Sequence, residues 1–236
     1  MSIIIDIILI AIIAFAGWRG YKEGIINGVF GLLAVIVAIY LANLVATVYH
    51  PEFTGMLKLF ANGVIDSSVS SVLHPTPKEL QEGIITIEEK DKGDVYVVSY
   101  TAMRNIGFSD SLSKQLAEET MKTEKHVGRD LSNTLTELLC QKVSFILIFF
   151  IFFVLAAIIF AIIGNIINLK FTLPGLDKVN NIVGAVLGAA KGFMFILVFT
   201  CILRYAGMIL PEKLITGTVL TEGLINKNLL ANLLGI

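Results

Sequence analysis

The chain has 236 residues, of which 56% are hydrophobic and only 16% are charged, and its formal net charge is −1. A soluble domain usually carries about 25% charged residues, so this composition predicts a membrane protein. The near-zero net charge gives no reason to expect a nucleic acid or an acidic protein as a partner.

Apolar segments predict four membrane-spanning helices, since a helix needs about 20 apolar residues to cross a bilayer. These segments lie at residues 3–18, 25–49, 143–163 and 182–203. The first segment ends like a signal peptide, but no basic residue precedes it and Asp6 lies inside it, so we expect a retained helix. The predicted fold class is all-α integral membrane, with two transmembrane hairpins at residues 1–49 and 143–204.

An even number of spans places both termini on the same side of the membrane. Short connectors weigh most in the positive-inside rule. The two predicted connectors, at residues 17–24 and 164–183, carry Arg19 and several lysines. They favour an arrangement with both termini outside. After the second hairpin, residues 205–236 form a C-terminal tail.

The loop region between the hairpins, residues 50–142, is predicted to be partly helical. Residues 56–73 carry apolar side chains at helical spacing, which predicts an amphipathic helix. This helix either lies on the membrane or caps the bundle, or it packs within the core of the loop region. Proline and histidine at residues 74–77 then break the helix. Residues 84–100 are rich in β-branched and aromatic side chains and favour a short β-hairpin.

The second half of the loop region leads into the third predicted span. Ser109 offers a helix start, and residues 111–123 predict a short polar helix. An apolar stripe then continues into the span, at Leu131, Leu135, Leu138 and Leu139. The charge-rich stretch 118–129 is most simply a solvated face, and Cys140 and Cys201 are expected to be reduced, buried thiols.

Glycines recur at intervals of four residues in two places. We call them the first ladder (Gly20, Gly24, Gly28) and the second ladder (Gly184, Gly188, Gly192). Residues four apart share one face of a helix, and in lipid such small residues let two helix backbones approach closely. Asn27 and Lys191 occupy matching positions, so the pattern indicates either a shared packing requirement or a duplicated hairpin.

Two ionisable residues lie within the predicted spans: Asp6 near the start of the first and Lys191 inside the fourth. A charge at the centre of a membrane helix costs about 2.5 to 3.5 kcal/mol and by default marks a functional site. Lys191 can also reach the nearer interface along its own helix. Three interpretations therefore stay open: an anchor or packing role, a solute- or proton-linked role, and an Asp6–Lys191 ion pair.

The sequence contains no recognisable catalytic or cofactor motif, since H-E-x-x-H, the P-loop, G-x-S-x-G and C-x-x-C are all absent. The three histidines are isolated and lack metal-ligand spacing. The sequence therefore implies no catalytic residue, no metal and no cofactor, and an enzyme is the poorest of the functional classes.

Two sequence blocks resemble the colicin V production (CvpA) family of small bacterial inner-membrane proteins. Residues 6–34 contain an early aspartate, an apolar helix, and then glycine, aromatic and basic residues. Residues 173–192 contain a leucine-proline start, an asparagine and a G-x-x-x-G-x-x-K-G ladder. By this resemblance, the residues at family motif positions are Asp6, Gly20, Gly24, Pro174, Asn180, Gly184, Gly188, Lys191 and Gly192.

The resemblance implies a multi-pass inner-membrane protein linked to production or export of a peptide toxin, or to a broader envelope function. Family members often have basic residues where this chain has Glu23 and Asn27, which puts in doubt any role that needs a dense positive cluster there. Residues 74–110 look longer than the family core and indicate a lineage-specific insertion.

Two functional hypotheses follow. The first is a membrane accessory protein that acts through a protein partner. The second is a small transporter or channel that uses Asp6 and Lys191, and it requires an oligomer because four spans are few to enclose a path. The expected partners are membrane lipid and either a second copy of the chain or another membrane protein, with no nucleic acid.

Overall fold

The computed structural model describes residues 2–167, 177–207 and 220–235, and these residues are helical apart from short connections. The helices are α1 (Ser2–Leu73), α2 (Pro77–Glu82), α3 (Val95–Ile106), α4 (Asp110–Thr123), α5 (Arg129–Ile167), α6 (Asp177–Tyr205), α7 (Leu220–Asn226) and α8 (Leu229–Leu234), with a 3-10 turn at Glu89–Asp91. No strand occurs in these described residues. The all-α prediction is therefore confirmed, and the short β-hairpin at residues 84–100 is wrong.

Helix α3 occupies the place of the second predicted strand. The Asp94 carboxylate caps this helix by accepting hydrogen bonds from the backbone amides of Tyr96 (2.8 Å) and Val97 (3.2 Å). Val98 and Ala102, one helical turn apart, are fully buried. The helix cap and this burial outweigh the β-propensity of the valine and tyrosine side chains.

Within the described residues, three helices rather than four are long and apolar enough to cross a membrane: α1, α5 and α6. The first two predicted spans, at residues 3–18 and 25–49, lie in the single helical element α1, which also contains the predicted amphipathic helix 56–73. The predicted count of four spans in two hairpins is therefore not supported.

The polar connector predicted at residues 17–24 is a stretch of helix rather than a loop. Arg19 and Glu23 pair along it, with 2.5 Å between Arg19 Nε and Glu23 Oε1, at the i,i+4 spacing that supports a helix. The backbone leaves helical geometry at Gly24, whose φ of 77° and ψ of −175° lie in a region that is essentially restricted to glycine. A single glycine therefore takes the place of the predicted connector.

The bend divides α1 into an N-terminal arm, residues 2–23, and a long arm, residues 25–73. Both arms lie against α6. In chain order, the contacts are Ala16 with Gly192, Gly20 with Gly188, Gly24 with Asn180, Gly28 with Gly184, and Gly31 with Lys191. Along the N-terminal arm, the contacted position on α6 moves towards the N-terminus of α6. Along the long arm, it moves back towards the C-terminus of α6, so the chain reverses direction relative to α6 at Gly24.

The two ends of the apolar run of α5, residues 143–163, indicate where the two edges of the membrane lie. At the start of this run, Lys142 Nζ lies 3.0 Å from Glu119 Oε1 of α4. Just after its end, Gly164 lies against the ring of Phe30 on the long arm. A run of about 20 residues matches the roughly 30 Å apolar layer of a bilayer, so these contacts mark where that layer ends on the neighbouring helices.

A small helical bundle lies outside the apolar layer, beyond the membrane edge that Lys142 marks. It is formed by the end of the long arm, α3, α4 and the start of α5. Its buried core includes Ile65, Val69, Val98, Met103, Phe108, Leu112, Leu116, Leu131 and Leu135. Of the two interpretations of residues 56–73, the structure therefore supports packing within the loop region.

Several local predictions in this bundle are confirmed. Helix α1 ends before the predicted break at residues 74–77, and Thr76 begins α2 with a capping box to Glu79. The Ser109 hydroxyl caps α4 by accepting a hydrogen bond from the Leu112 amide at 3.4 Å. The two cysteines are free and buried, as predicted.

Candidate functional site

The N-terminal arm and α6 meet at glycine positions. A Cβ added to Gly188 would lie 2.9 Å from Gly20 Cα, and a Cβ added to Gly192 would lie 2.7 Å from the Cβ of Ala16. Real Cβ atoms do not approach other heavy atoms this closely, so larger side chains would push the two helices apart. Close backbone approach of this kind is how membrane helices gain dispersion contacts.

The two ladders have different structures, although their spacing is the same. Gly24 is the bend itself, Gly20 precedes it and Gly28 follows it, so the prediction that the first ladder forms one helix face is wrong. The second ladder lies within the uninterrupted helix α6 and contacts both arms. A shared packing requirement explains the common spacing better than duplication of one local structure.

Asn180 closes the bend from the neighbouring helix. Its Oδ1 accepts a hydrogen bond from the Ile25 amide at 3.0 Å, and its side chain is buried. Ile25 is the first residue after the bend, where amides lack acceptors within their own helix. Asn180 thus acts as a helix cap supplied by α6, while Pro174, which precedes it in the family motif, lies outside the described residues.

A cleft of about 520 Å³ opens beside the glycine contact, between the N-terminal arm, the beginning of the long arm and α6. Its polar side chains are Arg19, Glu23, Asn27 and Lys191, so both residues of the predicted matching pair line it. Its remaining lining is Ile8, Ala11, Ile12, Phe15, Ala16, Gly20, Gly28, Gly188, Gly192 and Phe195. Among the described residues, no three His, Cys, Asp or Glu side chains are placed to hold a metal ion.

Lys191 reaches across the cleft to the long arm. Its Nζ lies 3.2 Å from the position that a Cβ on Gly31 would occupy. Gly31 follows Phe30, which contacts Gly164 just after the apolar run of α5 ends. The Lys191 ammonium therefore lies at the edge of the apolar layer, which favours the anchor or packing interpretation over a position at the membrane centre.

Asp6 and Lys191 contact different helices. Its carboxylate accepts hydrogen bonds from the backbone amides of Leu220 (3.3 Å) and Thr221 (3.0 Å), and from the Thr221 hydroxyl (2.7 Å). These residues begin α7. The structure thus joins Asp6 to the C-terminal region, rather than to Lys191 as the ion-pair interpretation requires.

Two buried polar residues were not predicted. Arg204 is only 5% exposed, and its guanidinium donates hydrogen bonds to Gln115 Oε1 (2.8 Å) and Ser111 Oγ (3.3 Å) of α4. Asn228, also buried, donates to Thr200 Oγ1 at 2.9 Å. The position of Arg204 at the end of an apolar run could have indicated a buried polar contact. Asn228 is a single asparagine in the tail, and its sequence context gives no such indication.

A family model described as Colicin V production protein matches residues 5–74 and 120–228. The matched parts contain α1 from residue 5 onwards, α5, α6 and every residue that lines the cleft. The unmatched stretch between them contains α2, α3 and most of α4, and it covers most of the predicted insertion at residues 74–110. No curated protein and no solved structure matches the chain.

Proposed function

Since this chain belongs to the colicin V production protein family, we propose that it is a multi-pass inner-membrane protein that acts through a protein partner. The process it serves is toxin production, toxin export or another envelope function. We propose no catalytic role for it. Family membership and the long apolar helices establish a membrane protein, and one exposed surface supports the partner-based role.

That surface is the outer apolar face of the long arm, formed by Met56, Leu59 and Phe60. Leu59 is 80% exposed and Phe60 is 78% exposed. The opposite face of the same helical stretch is buried at Ala61 and Ile65. Exposed groups of large apolar side chains on a folded protein mark interaction sites.

The outer apolar face lies beyond the apolar run of α5. Lys58, next to Leu59 in the chain, has its Nζ 3.2 Å from Glu137 Oε2. Glu137 precedes Lys142, which marks the membrane edge, so the exposed side chains lie at the level of charged residues rather than of acyl chains. A protein partner with its own apolar helix face fits a surface in this position.

The glycine ladders are not available to that partner, because they already pack against each other within the chain. In membrane proteins such small-residue faces commonly join separate helices. Here they fix the two arms of α1 to α6 instead. A partner therefore has to bind at another surface, and the outer apolar face provides one.

Site-specific photocrosslinking in cells tests the proposal. A photoreactive amino acid at Leu59 or Phe60 is expected to form one defined adduct with another protein. Ile159, which is exposed within the apolar run of α5, serves as the lipid-facing control and is expected to form none. Self-adducts alone from the outer apolar face, or the same adducts from Ile159, would contradict a specific partner.

A double variant links the same surface to the biological role. Leu59→Ser with Phe60→Ser should abolish release of toxin from a toxin-producing host, or weaken envelope integrity, while membrane insertion and thermal stability stay unchanged. The matched control is Leu80→Ser, since Leu80 is exposed on α2, away from this face. Full activity of a stably inserted double variant would refute the assignment of the partner surface.

The alternative of a small oligomeric transporter or channel depends on Asp6 and Lys191 acting together. It is the weaker proposal, because Asp6 contacts α7 whereas Lys191 contacts Gly31. Purified, folded protein in liposomes is expected to carry neither ions nor peptides. A flux that disappears in both Asp6→Asn and Lys191→Gln would favour the transporter instead.

A further inference from the structure

The cleft beside the glycine contact has two ends of different chemistry. Arg19, Glu23, Asn27 and Lys191 lie at one end. At the other end the lining is apolar, with Ile8, Ala11 and Phe195 among its side chains. A cavity of about 520 Å³ is within the range of roughly 300 to 1,000 Å³ that is typical of small-molecule sites.

The polar end has an excess of positive charge. Arg19 and Glu23 neutralise each other, with 2.5 Å between Nε and Oε1. Lys191 Nζ has no carboxylate oxygen within 4.0 Å in the parts of the chain that the structure describes. An ammonium at the edge of an apolar layer attracts an anion, because water screens it less there than in bulk solvent.

The polar end also lies at the level of lipid headgroups. Lys191 contacts the long arm at Gly31, directly after Phe30, and Phe30 contacts Gly164 at the end of the apolar run of α5. The four polar side chains of the cleft therefore lie at or outside the edge of the apolar layer. A negatively charged headgroup in the bilayer lies at this same level.

The apolar end points into the membrane. The N-terminal arm runs antiparallel to α6, with Gly24 at Asn180 and Ile12 at Gly192. Ile8 is one turn further along the N-terminal arm, and Phe195 follows Gly192 in the matching direction, towards the C-terminal end of α6. The cleft thus runs from a cationic end at the membrane edge to an apolar end inside the membrane, in the orientation of a phospholipid in a bilayer.

We propose that this cleft binds one anionic phospholipid, with its phosphodiester at Lys191 and Arg19 and part of an acyl chain along Ile8 and Phe195. The ligand is a lipid rather than free phosphate because the apolar end would stay empty with a free anion. The cleft and the outer apolar face lie at opposite membrane edges, so this site is independent of the proposed protein partner.

Native mass spectrometry of the full chain tests the site. The protein is reconstituted in nanodiscs of equal phosphatidylglycerol and phosphatidylcholine, released into mild detergent, and weighed with its retained lipids. Wild-type protein should retain phosphatidylglycerol about fivefold over phosphatidylcholine, the ratio expected from roughly one extra basic side chain. Lys191→Gln should remove this preference and Lys191→Arg should keep it.

Two further variants separate the cleft from general surface charge. Lys178→Gln removes a cation from an exposed position on α6 that does not line the cleft, and it should leave the preference unchanged. Ala11→Trp fills the apolar end and should reduce retention of both lipids severalfold. Thermal melting in the same detergent confirms that each variant is folded, and the charge-preserving arginine variant keeps the test decisive if Lys191→Gln unfolds.

Three results would overturn the proposal. The first is an unchanged preference in Lys191→Gln, and the second is an equal loss in Lys178→Gln, which would indicate surface attraction only. The third is displacement of the lipid by inorganic phosphate with no effect of Ala11→Trp, which would indicate a free-anion site. None of these measurements depends on a protein partner. If the lipid site is disproved, the crosslinking test of the protein partner therefore stays valid.

Discussion

The first and second glycine ladders have the same spacing but different roles. The second ladder is one continuous face of α6, against which two helical arms pack. The first ladder contains a bend, and its middle glycine has a backbone conformation that other residues rarely adopt. Spacing alone therefore identifies positions of close approach, whereas the backbone angle of each glycine decides whether the chain continues or turns.

The difference has an energetic consequence. In the second ladder, a side chain larger than hydrogen is excluded by the neighbouring backbone. At Gly24, it is excluded both by the backbone angle and by Asn180. Substitutions at the two ladders should therefore differ in size and in how they can be rescued.

The largest effect is expected at the bend. Gly24→Ala should destabilise the protein by about 3 kcal/mol, because the residue has a φ of 77° and the new Cβ would lie 2.5 Å from Asn180 Nδ2. Unfolding in a denaturing detergent titration measures the loss. Gly63→Ala is the control, since Gly63 is helical with open space around it and should gain up to about 1 kcal/mol. Equal stability of the two variants would show that Gly24 is not the bend.

A smaller loss is expected in the second ladder. Gly188→Ala should cost about 2 kcal/mol, since its Cβ would lie 2.9 Å from Gly20 Cα and the two helices would have to separate. Gly17→Ala is a matched control on the N-terminal arm, because its Cβ would make an ordinary 3.5 Å contact. The same titration compares them, and a harmless Gly188→Ala would mean that the arms do not pack this tightly.

Removal of the cap sharpens the comparison further. Asn180→Ala should cost about 1 kcal/mol through loss of the hydrogen bond from the Ile25 amide. It should also reduce the penalty of Gly24→Ala, because it removes the side chain that the new Cβ would contact. A double-mutant cycle measures this coupling. Strict additivity of the two losses of stability would mean that Asn180 does not interact with the bend at Gly24.

The smallest effect is expected outside both ladders, at the α2 cap. Hydrogen bonds from the Ser71 hydroxyl, and then from the Thr76 hydroxyl and amide, lower the pKa of Glu79 to about 2. A lowered carboxyl pKa stabilises the fold above the ordinary value of 4.5, and this stabilisation is lost as pH falls through about 2.

Amide hydrogen exchange, corrected for its intrinsic pH dependence, tests this local change. Protection of the α2 amides should fall between pH 4.5 and 2, while protection of the α6 amides around Gly188 stays constant. Glu79→Gln should remove the pH dependence in α2. An unchanged α2 in acid would contradict the lowered pKa, and simultaneous loss of protection in α6 would show that the two regions are coupled.

The features predicted correctly depend on a few neighbouring residues. Ser109 identifies the start of α4 because its hydroxyl is three residues from the amide that it caps. The apolar run of α5 is equally local, since about 20 apolar residues in succession allow few other structures. The strand prediction failed at Val98 because burial against distant helices overrode local propensity.

The features that were missed depend on residues far apart in the chain. The family motif identified Asn180, but not its hydrogen bond to the Ile25 amide, which is 155 positions away. The bend was also hidden, because glycine accepts helical and non-helical angles equally and the ladder spacing is compatible with both. Glu23 pairs with Arg19 inside a helix, although the same charges also fit a polar loop.

The hydrogen bonds between Asp6 and Thr221 also constrain the order of biosynthesis. The two residues are 215 positions apart. At a synthesis rate of about 5 to 20 residues per second, the ribosome adds Thr221 roughly 10 to 40 seconds after Asp6. During this interval the N-terminal arm has neither α7 nor, for most of the time, α6 to pack against. The earliest helix of the nascent chain therefore reaches its native neighbours only when translation is almost finished.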